Sequence, residues 1–426
     1  MEDNKRISVW TRTVVLFLLS QTVTLFGSAL VQYAIGWHIT LTTQRGSMIT
    51  IAALCGFLPQ VVVSFFAGVW ADRFNRKRLI LIADGMIAVA TLALIIVSKG
   101  EEPSLWLLFV ISGIRSFGTG IQMPAVSAFL PDIVRQDQLL RVNGINAAMQ
   151  SGIMLLAPAA AGGLYGVLGI NSIFWVDVLT AAIGMSLLSM LRAEDGKRAK
   201  LEPTSFTGEL AAGFHYVIEH IWLQQFFTFV LLYMALIAPA SMLTPLMVAR
   251  SFGDEPWRLV VHEMVFAAGT IGGGLIIGFF TGKFRNTMHA ILAGSVGFGV
   301  ATLIMGFSPN FIFYLALMIP LGISLPFVNT GIATLLQTRV DPNYLGRVFA
   351  LLTSITSGVM PLSMMIYGPL ADAVSVESLL IISGACMVGA ALATLRRREL
   401  RQIAEPIPSE NAPALPDENN SVQEVD

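Results

Sequence analysis

Few ionisable residues stand inside the long apolar stretches, and Asp84, Arg115, Asp177 and Glu263 are the acids and base among them that could do chemistry. Charge in such surroundings is costly, so each needs a partner, a watery cavity or a change of protonation. Arg115 shares a helical stripe with Ser112, Thr119 and Gln122, because their 3-4-3 spacing puts them on one face. At about 1.5 Å per residue, the guanidinium lies roughly 16 Å into its segment, near mid-bilayer. A carboxyl at such a depth can load a proton from one side and release it to the other. Asp177 and Glu263 lie near the starts of their segments and are the first candidates to carry that proton; Asp84 is a third. Arg115 would hold the field of the site and release or recapture an acid. A structural alternative pairs Asp84 with Arg115 to fix helix register and leaves Glu263 hydrated at the interface.

The elements that must position these groups follow from hydropathy. Of 426 residues, 55% are hydrophobic and 12% charged, against about 25% charged in a soluble domain. The class is an all-α polytopic membrane protein. A spanning helix needs about 20 apolar residues, since every backbone polar group must be paired within it. Twelve segments qualify, near 13–39, 47–71, 79–98, 104–128, 143–167, 170–191, 223–248, 259–281, 289–307, 311–337, 345–371 and 377–395. The first is long enough to span, so a cleavable signal is not expected. The polar, proline-bearing stretch from Glu405 to Asp426 is expected to be disordered. Cys55 and Cys386 both fall inside apolar segments and read as small buried thiols.

Lys and Arg set the orientation. Arg45, Lys99, Arg250 and Arg258 fall in the connections on one side and Arg115 within a span; all the others among the 26 fall on the opposite side. The positive-inside rule makes that richer side cytoplasmic, with both termini there, as in a multi-pass plasma (inner) membrane protein of bacterial type. Most tryptophans lie near segment ends, in an interfacial belt. Trp175 lies deeper and is a candidate ligand contact. His38, beside Trp37, reads as a hydrogen-bonded surface residue.

The halves repeat. VRQDQLLRVNGINAAMQSG (134–152) and VDPNYLGRVFALLTSITSG (340–358) share Val, Leu, Arg, Val, Ser and Gly at a spacing of 206 residues. This is a six-plus-six duplication: residues 1–191 and 223–398 form two pseudo-symmetric six-helix bundles, 192–222 a cytoplasmic linker and 399–426 a tail. Two bundles related by an axis along the membrane normal mark one transporter architecture.

The burst of charge in GVWADRFNRKRL (68–79) resembles the loop signature of the major facilitator superfamily, roughly G-x-x-x-D-R-x-G-R-[KR]. GFLPQVVVSFFAGVWADRFNRKRLILIAD, RSFGTGIQMPAVSAFLP, VHEMVFAAGTIGGGLI and ISLPFVNTGIATLLQTRVDPNYLGRVFAL resemble its macrolide-efflux branch, a drug:proton antiporter group. Asn75 stands where the signature has Gly, a position that Asn can serve by tolerating a left-handed backbone. Span 5 carries Ala157-Pro158-Ala159-Ala160-Ala161-Gly162 where exporters of the family tend to G-P-x-x-G-G. The resemblance implies that Asp72, one turn beyond Gly68, caps a neighbouring helix start at Tyr344–Arg347, with Arg73 and Arg76 bonding across the seam. Such a cap contributes about 0.3–1 kcal/mol. Gly68, Asp72, Arg73, Arg76 and Arg347 would then latch the cytoplasmic gate.

Amides interrupt several spans. Gln21, Gln32, Gln122, Asn146, Gln150 and Asn329 are candidates to line a cavity, though interhelical hydrogen bonding explains many such groups. Scattered amides among apolar walls suit a bulky lipophilic small molecule. No G-x-x-x-x-G-K-[ST] loop is present, so no nucleotide is expected. No H-E-x-x-H or His/Cys metal spacing and no nucleophile elbow occur, so neither a metal, a cofactor nor an enzyme is expected. The net charge of −1 gives no pull toward nucleic acid. The expected function is efflux of lipophilic or amphipathic drugs by alternating access, driven by the proton gradient, with membrane lipid as surroundings and the monomer as working unit. Alternatives are a siderophore or lipid exporter of the same superfamily, or a non-transporting receptor or scaffold.

Overall fold

The computed structural model describes residues 12–191, 206–280 and 287–395, and within them leaves aside a few side chains, that of Asp72 among them. The tail from 399 and residues 192–205 of the linker lie outside the described residues.

Twelve helices among the described residues are long and apolar enough to cross a membrane, as the hydropathy requires. The first bundle comprises α1 (Arg12–Thr43), α2 (Gly46–Arg73), α3 (Arg76–Ser98), α4 (Leu105–Ile133), α5 (Leu139–Leu168) and α6 (Ile170–Ser189). A shorter α7 (Phe206–Glu219) belongs to the linker. The second bundle opens with α8 (Ile221–Met242), which passes through α9 (Thr244–Met247) into a π-helical turn at Val248–Phe252. It continues with α10 (Pro256–Phe280), α11 (Thr287–Met305), α12 (Phe311–Arg339), α13 (Pro342–Ala373) and α14 (Val376–Leu395).

Local chemistry sets several helix ends. Asn310 caps α12 by accepting from the Phe313 N–H at 2.9 Å. Asn75 caps α3 in the same way, accepting from Arg78 N–H at 3.0 Å. Its φ is −65°, so the left-handed role expected of Asn75 is replaced by capping. Pro59 sits inside α2 and supplies no N–H to its ladder, and the next residue's N–H, that of Gln60, donates to Ser116 Oγ of α4 at 3.0 Å. Pro239 and Pro245 bracket the end of α8, where the chain continues into the π-helical turn.

Each bundle packs its own helices, and the bundles meet along α2 with α13 and α5 with α10. The two ends of the molecule differ. One, the basic end, bears the 73–76, 133–139 and 339–342 connections; the other, the far end, bears the 43–46, 168–170, 252–256 and 373–376 connections. One core runs through both bundles and includes Trp37, Phe174, Leu246 and Ala371. A separate core of Val14, Phe17, Ile80, Phe129, Val142 and Leu188 belongs to the first bundle alone, at its basic end. Towards the far end α5 approaches α10 so closely that a Cβ on Gly162 would lie 1.9 Å from Val260 Cγ2. Towards the basic end a Cβ on Gly144 or Gly152 of α5, or on Gly346 or Gly358 of α13, would meet no described neighbour within 4 Å. Among the described residues the hydrogen bonds found between the two bundles lie towards the far end, so the far end is the closed one and the basic end the more open.

Two expectations are corrected. Cys386 is exposed rather than buried, because it lies on the outer face of α14. His38 is buried, not a surface group; its Nδ1 shares a hydrogen bond of 3.0 Å with Tyr165 Oη of α5.

Candidate functional site

In the first bundle two of the intramembrane charges pair with each other, and the third has an amide partner on one of its oxygens. Arg115 of α4 and Asp177 of α6 form an ion pair in the buried interior, and Thr91 of α3 joins both. Thr91 Oγ1 donates to Asp177 Oδ2 at 2.8 Å. Three helices are thereby pinned at one depth. Two turns towards the basic end, Gln122 Nε2 donates to Asp84 Oδ1 at 2.5 Å, again in the buried interior. So Arg115 meets Asp177 and not Asp84, and Asp84 takes an amide partner. The 3-4-3 stripe of α4 therefore serves two layers, Arg115 in one and Gln122 in the other. Gln21 is also buried, with neither amide atom hydrogen-bonded among the described residues.

The second bundle contains a cavity of about 570 Å³. Its walls are mostly apolar and include Met234, Phe266, Phe298, Met318, Leu325 and Phe349. Polar groups reach it from five helices: Ser241 of α8, Thr244 of α9, His262 and Glu263 of α10, Asn329 of α12, and Thr353 and Thr356 of α13. Among the described residues Glu263 is the one carboxylate in the lining. His262 is buried beside it. Its Nδ1 shares a hydrogen bond of 2.7 Å with Tyr314 Oη, which fixes the ring. His262 Nε2 lies 4.0 Å from Glu263 Oε1. Such a chamber offers a carboxylate, a histidine beside it and a few hydrogen-bonding groups in an otherwise apolar volume.

The other amides do not converge on this chamber. Gln32 of α1 is exposed and faces α2 near Gly56. Asn146 is half-buried and Gln150 exposed on α5, on the stretch that opens towards the basic end. Trp175 is 56% exposed. It stands on the side of α6 opposite Asp177, so the structure does not bring it to either polar layer or to the cavity.

At the basic end, Arg76 Nη1 reaches Asp132 Oδ1 at 2.7 Å and the Ala128 carbonyl at 2.8 Å, and its Nε reaches the Ala71 carbonyl at 3.0 Å. It ties the α2–α3 connection to α4. Arg73 and Gly68 are exposed. Arg347 lies over the Tyr344 ring at 5.4 Å, and Tyr344 stacks on Tyr216 of α7. The Asp72 carboxylate lies outside the described side chains.

Sequence reading missed Thr91, His262 and Tyr314. Thr91 could have been found because it lies two turns beyond Asp84 on α3, at the depth of Arg115. His262 stood next to a singled-out acid. Tyr314, one of seven tyrosines, carried no signal of its own.

The profile described as Major Facilitator Superfamily matches residues 17–364. Macrolide efflux protein A of Streptococcus pyogenes is 32% identical over 387 residues, covering 90% of this chain and 95% of that protein. The multidrug efflux pump Tap of Mycobacterium tuberculosis is 22% identical over 397 residues, covering 91% and 94%. Among solved structures, a POT family transporter in complex with 5-aminolevulinic acid superposes with a TM-score of 0.72 at 11% identity, over 92% of this chain and 97% of that one. The nucleoside transporter NupG does so at 0.67 and 14%, over 88% and 98%. At those identities the likeness is of fold alone. A profile match over most of the length, on twelve helices long and apolar enough to span a membrane, makes the chain a member of the Major Facilitator Superfamily: a secondary-active efflux transporter working by alternating access, not an enzyme.

Proposed function

We propose that the chain exports lipophilic or amphipathic small molecules, macrolide-type antibiotics among them, in exchange for protons. The observation that carries this reading is the 32% identity to macrolide efflux protein A along nearly the whole of both chains. The cavity supports it: apolar walls with a single carboxylate suit a bulky amphipathic molecule better than a sugar phosphate or an amino acid. Glu263 is the first candidate for the coupling acid, because it lines the space a substrate would enter. Asn329 and the α13 threonines would orient the substrate.

On this reading the basic end faces the cytoplasm of a bacterial-type inner membrane, with both termini inside. Residues 1–191 and 223–398 are the moving bundles, 192–222 the linker and 399–426 the tail. Gly68, Asp72, Arg73, Arg76 and Arg347 latch the cytoplasmic seam when the protein opens outward, and the monomer is the working unit.

Uptake of labelled erythromycin into inside-out vesicles, with and without an imposed proton gradient, tests the proposal. Gradient-dependent accumulation is expected. Accumulation of a siderophore or a lipid instead would replace the substrate, and the absence of any gradient-dependent uptake would end the antiport reading.

A further inference from the structure

Helices α2 and α13 run antiparallel across the seam between the bundles, and their sequences carry the same punctuation. At a spacing of 300 residues, Gly46 matches Gly346, Gly68 matches Gly368, Ala71 matches Ala371 and Asp72 matches Asp372. Each helix thus has a glycine in its first turns and ends on G-x-x-A-D. Antiparallel packing sets the start of each against the end of the other. The pairing is self-complementary, like an interface about a two-fold axis.

At the far end this pairing is engaged. Asp372 Oδ1 accepts from the Gly46 N–H at 2.6 Å, and Oδ2 from the Ser47 N–H at 3.0 Å. These are orphan donors of the α2 N-terminus, whose own N-cap residue, Arg45, makes no side-chain cap. The carboxylate of one bundle therefore caps a helix of the other. The approach is as close as glycine permits. A Cβ on Gly46 would lie 2.3 Å from the Gly368 carbonyl oxygen, and one on Gly368 would lie 1.6 Å from Thr50 Oγ1. Thr50 Oγ1 donates across the seam to the Met364 carbonyl at 2.8 Å. Arg250, in the π-helical turn, clasps the assembly. Its Nε and Nη2 reach the Gln44 carbonyl at 2.9 and 2.5 Å, Nη1 the Ala371 carbonyl at 2.7 Å, and Nη2 lies 3.3 Å from Asp372 Oδ1.

We propose that Asp372 and Arg250, seated on the Gly46–Gly368 contact, are the latch of the far gate, the counterpart of the G-x-x-A-D sequence at the basic end. They are positioning residues for transport: they stabilise the state open at the basic end and must release for the far end to open. The inference rests on alternating access and not on what is carried. Every bond named joins, or braces a group that joins, the two bundles. Opening the far end separates Gly46 from Asp372 and Gln44 from Arg250. Two charge-assisted bonds to helix-terminal donors and the guanidinium clasp bias the equilibrium between the two states.

The test uses spin-label distances in purified full-length protein, with Cys55 and Cys386 replaced by Ser. One label pair, at Leu168 and Phe307, reports the far end; another, at Gln136 and Thr338, reports the basic end. Asp372→Ala and Arg250→Gln should each lengthen the far-end distances and shorten those at the basic end. The ratio of the two populations should move by roughly tenfold for Asp372→Ala and less for Arg250→Gln. Asp372→Glu should restore part of the parental distribution. Arg250→Gln leaves the helix cap in place and so keeps the test available if Asp372→Ala fails to fold. Unchanged distributions at both ends in the folded variants, or a loss of thermal stability with no redistribution, would overturn the proposal. Because no substrate enters the measurement, a protein that carries no macrolide can still show the shift.

Discussion

The two bundles share a fold and treat their buried charges in opposite ways. The first engages them: Arg115 is held by Asp177 and Thr91, and one oxygen of Asp84 by Gln122, on helices packed around them. The second keeps a single acid, Glu263, on the wall of a cavity beside a histidine fixed by Tyr314. The difference separates two uses of an intramembrane carboxylate. A paired acid in a packed interior fixes helix register. An acid on a cavity wall remains accessible to a proton or a substrate.

The largest effect should come from breaking the first bundle's pair. Arg115→Met leaves the Asp177 charge uncompensated in a packed interior, a change that costs about 3–5 kcal/mol. Thermal unfolding followed by size-exclusion chromatography in detergent should show a large loss of folded protein. Replacing both partners with apolar residues should recover much of it, since a buried ion pair against a well-packed apolar pair is often close to neutral. If Arg115→Met folds normally while transport disappears, the pair belongs to the transport cycle, and the contrast between the bundles is wrong.

Next comes Glu263→Gln, which preserves size and hydrogen bonding but cannot exchange a proton. Folding should be unaffected and substrate-induced proton release abolished, with export down at least about tenfold; a tenfold change corresponds to about 1.4 kcal/mol. Asp84→Asn makes the companion measurement. An Asn oxygen can still accept from Gln122, so proton release should persist and export fall by less than about threefold. Uncoupling by Asp84→Asn with coupling intact in Glu263→Gln would move the coupling acid to the first bundle.

The spans, their number and the two-bundle plan were legible in the sequence because the bilayer imposes one length and one polarity on every crossing. Arg115, Gln122 and Asn329 were legible as inward-facing because polar residues at helical spacing have few other places to go. The partner choice was not. Asp84 and Asp177 look alike in sequence, and which of them meets Arg115 depends on the relative height of α3 and α6, which no local pattern records. Trp175 misled for a related reason: depth along a helix can be read from the sequence, but its rotation is set by the neighbours it packs against. The far-end clasp was hidden because Arg250 and Asp372 sit in different helix ends, more than a hundred residues apart.

A smaller expected effect concerns the basic-end motif. Asp72→Asn keeps the residue's shape and removes a charge that a helix terminus would attract by about 0.3–1 kcal/mol. At equal expression, export should therefore fall by roughly two- to fivefold. Spin labels at Gln136 and Thr338 should show the basic end open in a larger share of molecules. Trp175→Ala supplies the matching control from the outer face of α6, where more than half of the side chain is exposed. It removes no cavity contact, and its export should match the parent's, whereas Asn329→Ala, on the cavity wall, should weaken substrate binding by about two- to tenfold. Reversal of those last two results would place the substrate between α6 and its surroundings, and would turn the comparison of the bundles around, with the binding surface on the first and the spare volume in the second.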